Sequence, residues 1–396
     1  MADDMQGWQQ ALDRLAYFNL LAIPDAAHPT EPSYQDGKLT AVRFRGAAHR
    51  FDVAAGRLDR ERGYRTANAV GAEAAPFEFR CAPIPEGFSL VAGRAVPPTP
   101  FDPARTQRIA VTGADFAIGQ GGRDRIQGFG TGRTYPIRRG APQLTRVAAS
   151  GVITAGQGAL ANRTGMFALS GWFTPPDDFQ LNVLVMVKDP GALYTTGELP
   201  PIEPVEGLPR SSTFLYFNTF VPTMTSTTIV PGKTPAAPPA SLTVSEKLRL
   251  CATSFSARGS QGLASRYQIG PTAGEHLLTL WFSPASGSGA TPDDPSAAYD
   301  VERFHLYDGK RHVGTLGVEN DEIRAILTPL DGVPQDMVTQ MFAGFGPVNG
   351  GDGTFAGAQG FQINLGVGTF VPHLTSILNL VELADPTGRF RSRQQA

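Results

Sequence analysis

Cysteine is nearly missing from this chain of 396 residues: Cys81 and Cys251 are the only two. Two cannot form a disulfide framework, so buried thiols in a reducing compartment are expected. Charge is also scarce, with 18% Asp, Glu, Lys and Arg and a net charge of −2. That balance supplies no general attraction for nucleic acid or for an anionic membrane surface. No apolar run approaches the roughly 18 residues of a spanning helix. The first residues show no basic segment followed by an apolar one, so a cytoplasmic location is expected.

The usual signatures of catalysis are missing too. The six histidines (His28, His49, His276, His305, His312, His373) form no H-x-H, H-E-x-x-H or Cys/His cluster, so no metal is expected. Gly259-Ser260-Gln261-Gly262 lacks the spacing of a nucleophile elbow. No Rossmann unit, phosphate loop or CxxC occurs, so no cofactor is expected. Asn162-Arg163-Thr164 is a glycosylation sequon in form only. Aromatics do not interleave with a basic stripe, which argues against single-stranded nucleic acid as a partner.

What is abundant is glycine, 45 residues, and proline, 33. That composition suits many short strands joined by turns. Gly351-Asp352-Gly353-Thr354-Phe355-Ala356-Gly357-Ala358-Gln359-Gly360-Phe361 has an ungapped echo 195 positions earlier, Gly156-Gln157-Gly158-Ala159-Leu160-Ala161-Asn162-Arg163-Thr164-Gly165-Met166. Gly151 and Gly346 extend the match, and Asp189-Pro190 answers Asp385-Pro386 one insertion out of step. An internal duplication follows. It selects two domains: residues 1–203, a short N-terminal helix plus a first barrel, and 204–396, a second barrel.

Asn349-Gly350 and Asp352-Gly353 are hairpin signals, because primed turns need positive φ. A phosphate loop would need a helix to follow, and in both copies strand-like residues follow instead. Glycine within a strand marks a bulge, a corner or a close backbone approach, so repeated glycines predict a sheet coiled enough to close. Elsewhere, Trp8 to Leu21 has helical spacing. Lys38 to Val53 reads as a hairpin around Gly46, Phe77 to Cys81 as a short strand, and residues 108–187 as a five-strand meander. In the second half, 313–318 and 322–327 read as separate strands among nine, one of them at 264–270. Residues 283–295 read as a loop and 389–396 as a polar tail.

The stretch Gly351 to Gly360 resembles the glycine-rich hairpin of the dirigent and allene oxide cyclase superfamily, with Gly156 to Gly165 a looser version. The likeness covers about 45 residues of each half. It implies an eight-stranded antiparallel barrel of calycin type with an apolar pocket, working without metal or organic cofactor. Relatives of that barrel steer cyclisation or coupling of unsaturated substrates. The family's acidic and basic pocket residues have no matching local motif here, and two barrels in one chain depart from the usual single-barrel protomer.

Candidate site residues come from strand alternation, since every second side chain shares a face. Arg303, His305 and Tyr307 form one set, opposite Glu302, Phe304 and Leu306; His305 and Tyr307 in an apolar cavity could polarise a carbonyl or relay a proton. Glu275, with Trp281, is a further candidate. Tyr216 and Asn218 are possible ligand contacts, as are Gln362 and Asn364, which face away from Phe361, Ile363 and Leu365. Either of those two faces could line the pocket. Arg133 and Tyr135 are the first-half counterpart. The functional expectation is a cofactor-independent cyclase or isomerase acting on a hydrophobic unsaturated small molecule. A non-catalytic carrier and a structural module with filled barrels are the alternatives, and a homo-oligomer is open.

Overall fold

The computed structural model describes residues 7, 10–12, 14–54, 67–88, 95–118, 123–136, 145–174, 178–189, 191, 212–221, 228–230, 243–250, 274–283, 296–308, 311–331, 333, 339–369 and 375–384. The strand expected at residues 264–270, the tail at 389–396, Cys251 and all but Ser283 of the loop expected at 283–295 lie outside these; Ser283 ends a strand.

The first nine strands are β1 (Leu15–Pro24), β2 (Glu31–Gln35), β3 (Lys38–Ala54), β4 (Ala67–Pro83), β5 (Gln107–Ile118), β6 (Asp124–Pro136), β7 (Thr145–Gln157), β8 (Gly165–Thr174) and β9 (Asp178–Lys188). They pair in the order β1-β9-β8-β7-β6-β5-β4-β3-β2, and β1 also pairs with β3. That last ladder closes eight antiparallel strands into a barrel, with β2 left outside it along the start of β3.

The second nine are β10 (Ser212–Val221), β11 (Thr228–Val230), β12 (Thr243–Leu250), β13 (Gly274–Ser283), β14 (Ser296–Asp308), β15 (Arg311–Leu327), β16 (Thr339–Gly351), β17 (Gly360–Thr369) and β18 (Thr375–Ala384). Their order, β10-β18-β17-β16-β15-β14-β13-β12-β11, repeats that of the first sheet strand for strand. β10 comes within 8 Å of β12 between Cα atoms, but no ladder joins them among the described residues.

Several expectations need correction. Residues 10–12 are helical, but from Leu15 onward the segment is β1. Ala16, Phe18, Leu20 and Ala22 pack into the barrel core, while Leu15, Tyr17 and Leu21 pack against the second half. A strand apolar on both faces has no period of two to reveal it. Gly46 is not a turn: β3 runs through it for 17 residues. A Cβ there would lie 2.0 Å from the Ile23 carbonyl oxygen, so the missing side chain is what lets β1 approach and close the barrel. The segment at Phe77 to Cys81 is only part of the 17-residue β4. Residues 313–318 and 322–327 are one strand, β15, broken in register between Val318 and Glu322. One extra residue there makes a bulge, which reads in sequence as a gap.

The echoed glycine motif is not a primed two-residue hairpin. In both halves the chain leaves the strand through a short 3-10 turn, Gly158–Leu160 or Gly353–Phe355, before the next strand begins at Gly165 or Gly360. Gly158 and Gly353 have φ of 65° and 53°, and Asn162 and Gly357 have 59° and 69°. The likeness in sequence is thus a likeness in backbone conformation, residue for residue. Each turn buries one apolar side chain, Leu160 or Phe355.

The barrel interior of the first half is packed with rings. Phe44 stacks on Phe79 at 5.9 Å and meets Phe173 and Phe179 edge-on at 5.3 and 5.2 Å. Phe116 and Phe167 continue the cluster at 5.6 Å. Cys81 is a free, buried thiol in this core, its pKa raised by burial.

The two halves meet through equivalent strands, β7, β8 and β9 facing β16, β17 and β18. Met166, Leu184 and Met186 join Met341, Phe361, Ile363 and Leu365 in one apolar cluster. Around it, Arg146 pairs with Glu382 at 2.9 Å and lies over the Phe361 ring. Tyr135 donates to Asp321 at 2.5 Å. Burial raises the Asp321 pKa, outweighing the lowering by the Tyr135 hydroxyl. An acid whose folded pKa lies above its unfolded value gives its full contribution below the unfolded pKa, about 4, and loses it as pH rises through the folded one. Asp321→Asn is therefore expected to flatten the decline in stability above about pH 4, read as urea midpoints at successive pH values.

Candidate functional site

One face of the second sheet packs on the first half, and described side chains of β14 to β18 on the opposite face are buried too. On that enclosed face β14 places Glu302 and Phe304, β15 places Leu316, Val318 and Asn320, β17 places Gln362 and Asn364, and β18 places Ile377, Asn379 and Val381. All of these are buried. The placement follows from alternation: Phe361, Ile363 and Leu365 are taken by the apolar contact with the first half, so Gln362 and Asn364 must turn the other way.

The polar members touch one another. Gln362 Nε2 donates to Glu302 Oε2 at 2.7 Å and to Asn379 Oδ1 at 3.1 Å. Asn379 Nδ2 donates to the Ile377 carbonyl at 3.3 Å. Asn364 Nδ2 reaches Asn320 Oδ1 at 3.5 Å. Gln362 Oε1 and Asn364 Oδ1 are buried and have no hydrogen-bond partner among the described residues. A carboxylate and four amides on an otherwise apolar wall (Phe304, Leu316, Val318, Ile377, Val381) form a polar cluster in low dielectric, where each hydrogen bond counts for more.

The register gives the equivalents in the first barrel. Gln362 and Asn364 correspond to Phe167 and Leu169 through the same 195-residue offset. Asn364 pairs with Asn379 as Leu169 pairs with Val183. Glu302 faces Val318 as Ala114 faces Gly128, and Asn320, set against Gly346, stands where Gly130 stands against Gly151. Five positions that hold Ala114, Gly130, Phe167, Leu169 and Val183 in the first barrel hold Glu302, Asn320, Gln362, Asn364 and Asn379 in the second sheet. None of the five first-barrel residues is polar.

Of the residues singled out from alternation, Gln362 and Asn364 lie in this cluster. Arg303 does not: it is exposed, on the opposite face of β14 from the buried Glu302. The pair of sets on β14 thus turns its Glu302 side inward at 302–304, because Phe304 and Glu302 oppose Leu316 and Val318. His305 and Tyr307 follow on the same strand, with side chains outside the described residues. Glu275 and Trp281 lie on β13, in register with Arg249 and Thr243. Tyr216 and Asn218 lie on β10 in register with Leu380 and Leu378, the residues of β18 that pack on the first half, whereas Phe217 stands opposite Asn379. Arg133 and Tyr135 belong to the contact between the halves, where Tyr135 meets Phe361 edge-on at 5.1 Å.

Glu302, Asn320 and Asn379 were not selected from the sequence. For Asn379 the usable signal was the internal echo, which sets it against Val183; Glu302 and Asn320 lie outside the echo, and only strand register sets them against Ala114 and Gly130. Among the described residues no group of three or more His, Cys, Asp or Glu side chains is arranged to hold a metal, and no helix is long and apolar enough to cross a membrane. No family model, curated protein or solved structure matches the chain, so the site is read from its own geometry.

Proposed function

We propose that the chain is a tandem of two calycin-type barrels in which the second holds a small-molecule site and the first supports it. The second barrel acts as a cofactor-independent cyclase or isomerase on a hydrophobic unsaturated compound, of the kind found among polyketide or terpenoid intermediates. The observation that carries this reading is the exchange of five apolar interior residues for Glu302, Asn320, Gln362, Asn364 and Asn379. Burying that many polar groups weakens a core unless they serve binding or chemistry. The resemblance of the paired glycine hairpins to the dirigent and allene oxide cyclase superfamily supports the same direction.

In this reading the apolar wall and the amides hold one conformer of the substrate, and their burial excludes water. Glu302 moves the proton that a cyclisation or double-bond shift requires, with Gln362 fixing the orientation of its carboxyl group. Catalysis by a positioned carboxyl contributes about 10²- to 10⁴-fold. Incubating the protein with polyene and polyketide-type compounds, followed by mass spectrometry and product chromatography, is expected to reveal an isomer of unchanged mass. Glu302→Gln should slow its formation by about 100-fold while leaving ligand retention intact. Conversion unaffected by that change would remove Glu302 from the chemistry.

A carrier is the second reading, favoured by one feature: among the enclosed-face residues whose side chains the structure describes, Glu302 is the one ionisable group. Acid and base roles are often divided between two groups, and a single carboxyl suits holding as well as converting. Native mass spectrometry of protein from its own source separates the two, since a carrier retains unchanged ligand.

A further inference from the structure

The orientation of the amides in the cluster carries information about what they bind. Gln362 Nε2 sits between two acceptors, Glu302 Oε2 at 2.7 Å and Asn379 Oδ1 at 3.1 Å. Reversing that amide would set its oxygen against two other oxygens, so its orientation is fixed by chemistry. Asn379 is fixed in turn, because its Nδ2 donates to the Ile377 carbonyl. Asn364 directs its Nδ2 to Asn320 Oδ1. What remains is one acceptor oxygen on each of two neighbouring side chains, Gln362 Oε1 and Asn364 Oδ1, both buried without a donor among the described residues. Gln362 is 0% and Asn364 2% exposed, so bulk water does not satisfy them.

Two unpaired acceptors beside a carboxyl group select for donors. Along β17 residues two apart are separated by roughly 7 Å. We infer that the ligand of the second sheet carries two hydroxyl or amino donors, roughly 7 Å apart, on a flat or unsaturated apolar frame. One donor meets Gln362 Oε1 and the other Asn364 Oδ1, while Phe304, Leu316, Val318 and Val381 contact the frame. A compound whose only polar atoms are carbonyl or ether oxygens leaves both acceptors unpaired and is discriminated against. This inference rests on the reading of the second sheet as a ligand-holding barrel.

The test uses the full chain and three probes: naphthalene-2,7-diol, its monomethyl ether and its dimethyl ether, each followed by its own fluorescence. The frame is the same throughout and only the donors differ. The diol should bind about tenfold more tightly than the monomethyl ether, and that in turn more tightly than the dimethyl ether. Asn364→Leu, which leaves the Glu302, Gln362 and Asn379 contacts in place, should remove one of the two steps. Gln362→Leu is a second variant for the other step, and the wild-type series decides the matter if either variant fails to fold. Equal binding of all three probes overturns the donor preference and leaves the binding site standing. Binding of none of them, together with no binding of a general apolar fluorophore, overturns the site itself.

Discussion

Phe167→Gln combined with Leu169→Asn is expected to unfold the first barrel. The pair copies into one half the residues that the other half carries at the equivalent places, so the sequence change is conservative with respect to the chain's own pattern. Its energetics are not. Phe167 and Leu169 are fully buried in the aromatic core, and Phe167 lies 5.6 Å from the Phe116 ring. Losing the ring alone costs about 3–5 kcal/mol. Each amide adds about 1–3 kcal/mol when buried without partners, and none is waiting: the facing residues are Val183, Val185, Ala149 and Gly151. The sum, on the order of 5–11 kcal/mol, is comparable to the whole stability of a typical domain. Chemical denaturation followed by tryptophan and far-ultraviolet signals should show the first transition lost at room temperature. A shift of only about 1 kcal/mol would mean that the first interior is loosely packed or wet, and that the contrast between the halves carries no functional weight.

That contrast was partly legible in the sequence. Glycine pairs and the 195-residue echo announced two coiled antiparallel sheets, because a strand bending sharply needs glycine where backbones approach. The echo held down to individual backbone angles at Gly158 and Gly353. Alternation failed where burial is two-sided. β1 packs one face into a barrel and the other onto the second half, so its apolar residues run without a period and imitate a helix. β15 hides its continuity behind a bulge between Val318 and Glu322, and β3 hides its continuity behind Gly46. For Gln362 and Asn364 the face was undecidable from alternation. What settles it is the neighbouring half, which claims Phe361, Ile363 and Leu365. That contact joins residues far apart in the chain and leaves no local mark. Arg303 and Glu302 illustrate the same limit on β14: two adjacent charged residues, one exposed and one sealed, distinguished only by what lies across the strand.

The first barrel's claim on β17 makes the contact between halves part of the site, and Arg324 is the residue on which that contact is most open to test. Its guanidinium donates to Glu322 at 2.8 Å and to the Thr131 hydroxyl of the other half at 2.7 Å, and Thr131 in turn donates to Glu322. The side chains of Arg324 and Glu322 are 16% and 8% exposed. Arg324→Leu leaves a nearly buried carboxylate without its cation, a change that costs about 3–5 kcal/mol. Replacing all three members together, Arg324→Leu with Glu322→Leu and Thr131→Val, removes the stranded charge as well, and should return stability to within about 1 kcal/mol of the starting protein. The same pair of variants separates support from mere attachment. If the first barrel holds β17 in place, the single change should weaken ligand binding in the second sheet about as it weakens the contact, and the triple change should restore it. If water reaches the pair at the rim of the contact, the single change will cost under about 1 kcal/mol, and the orientation of Gln362 and Asn364 must then come from the apolar cluster around Phe361 and Ile363 alone.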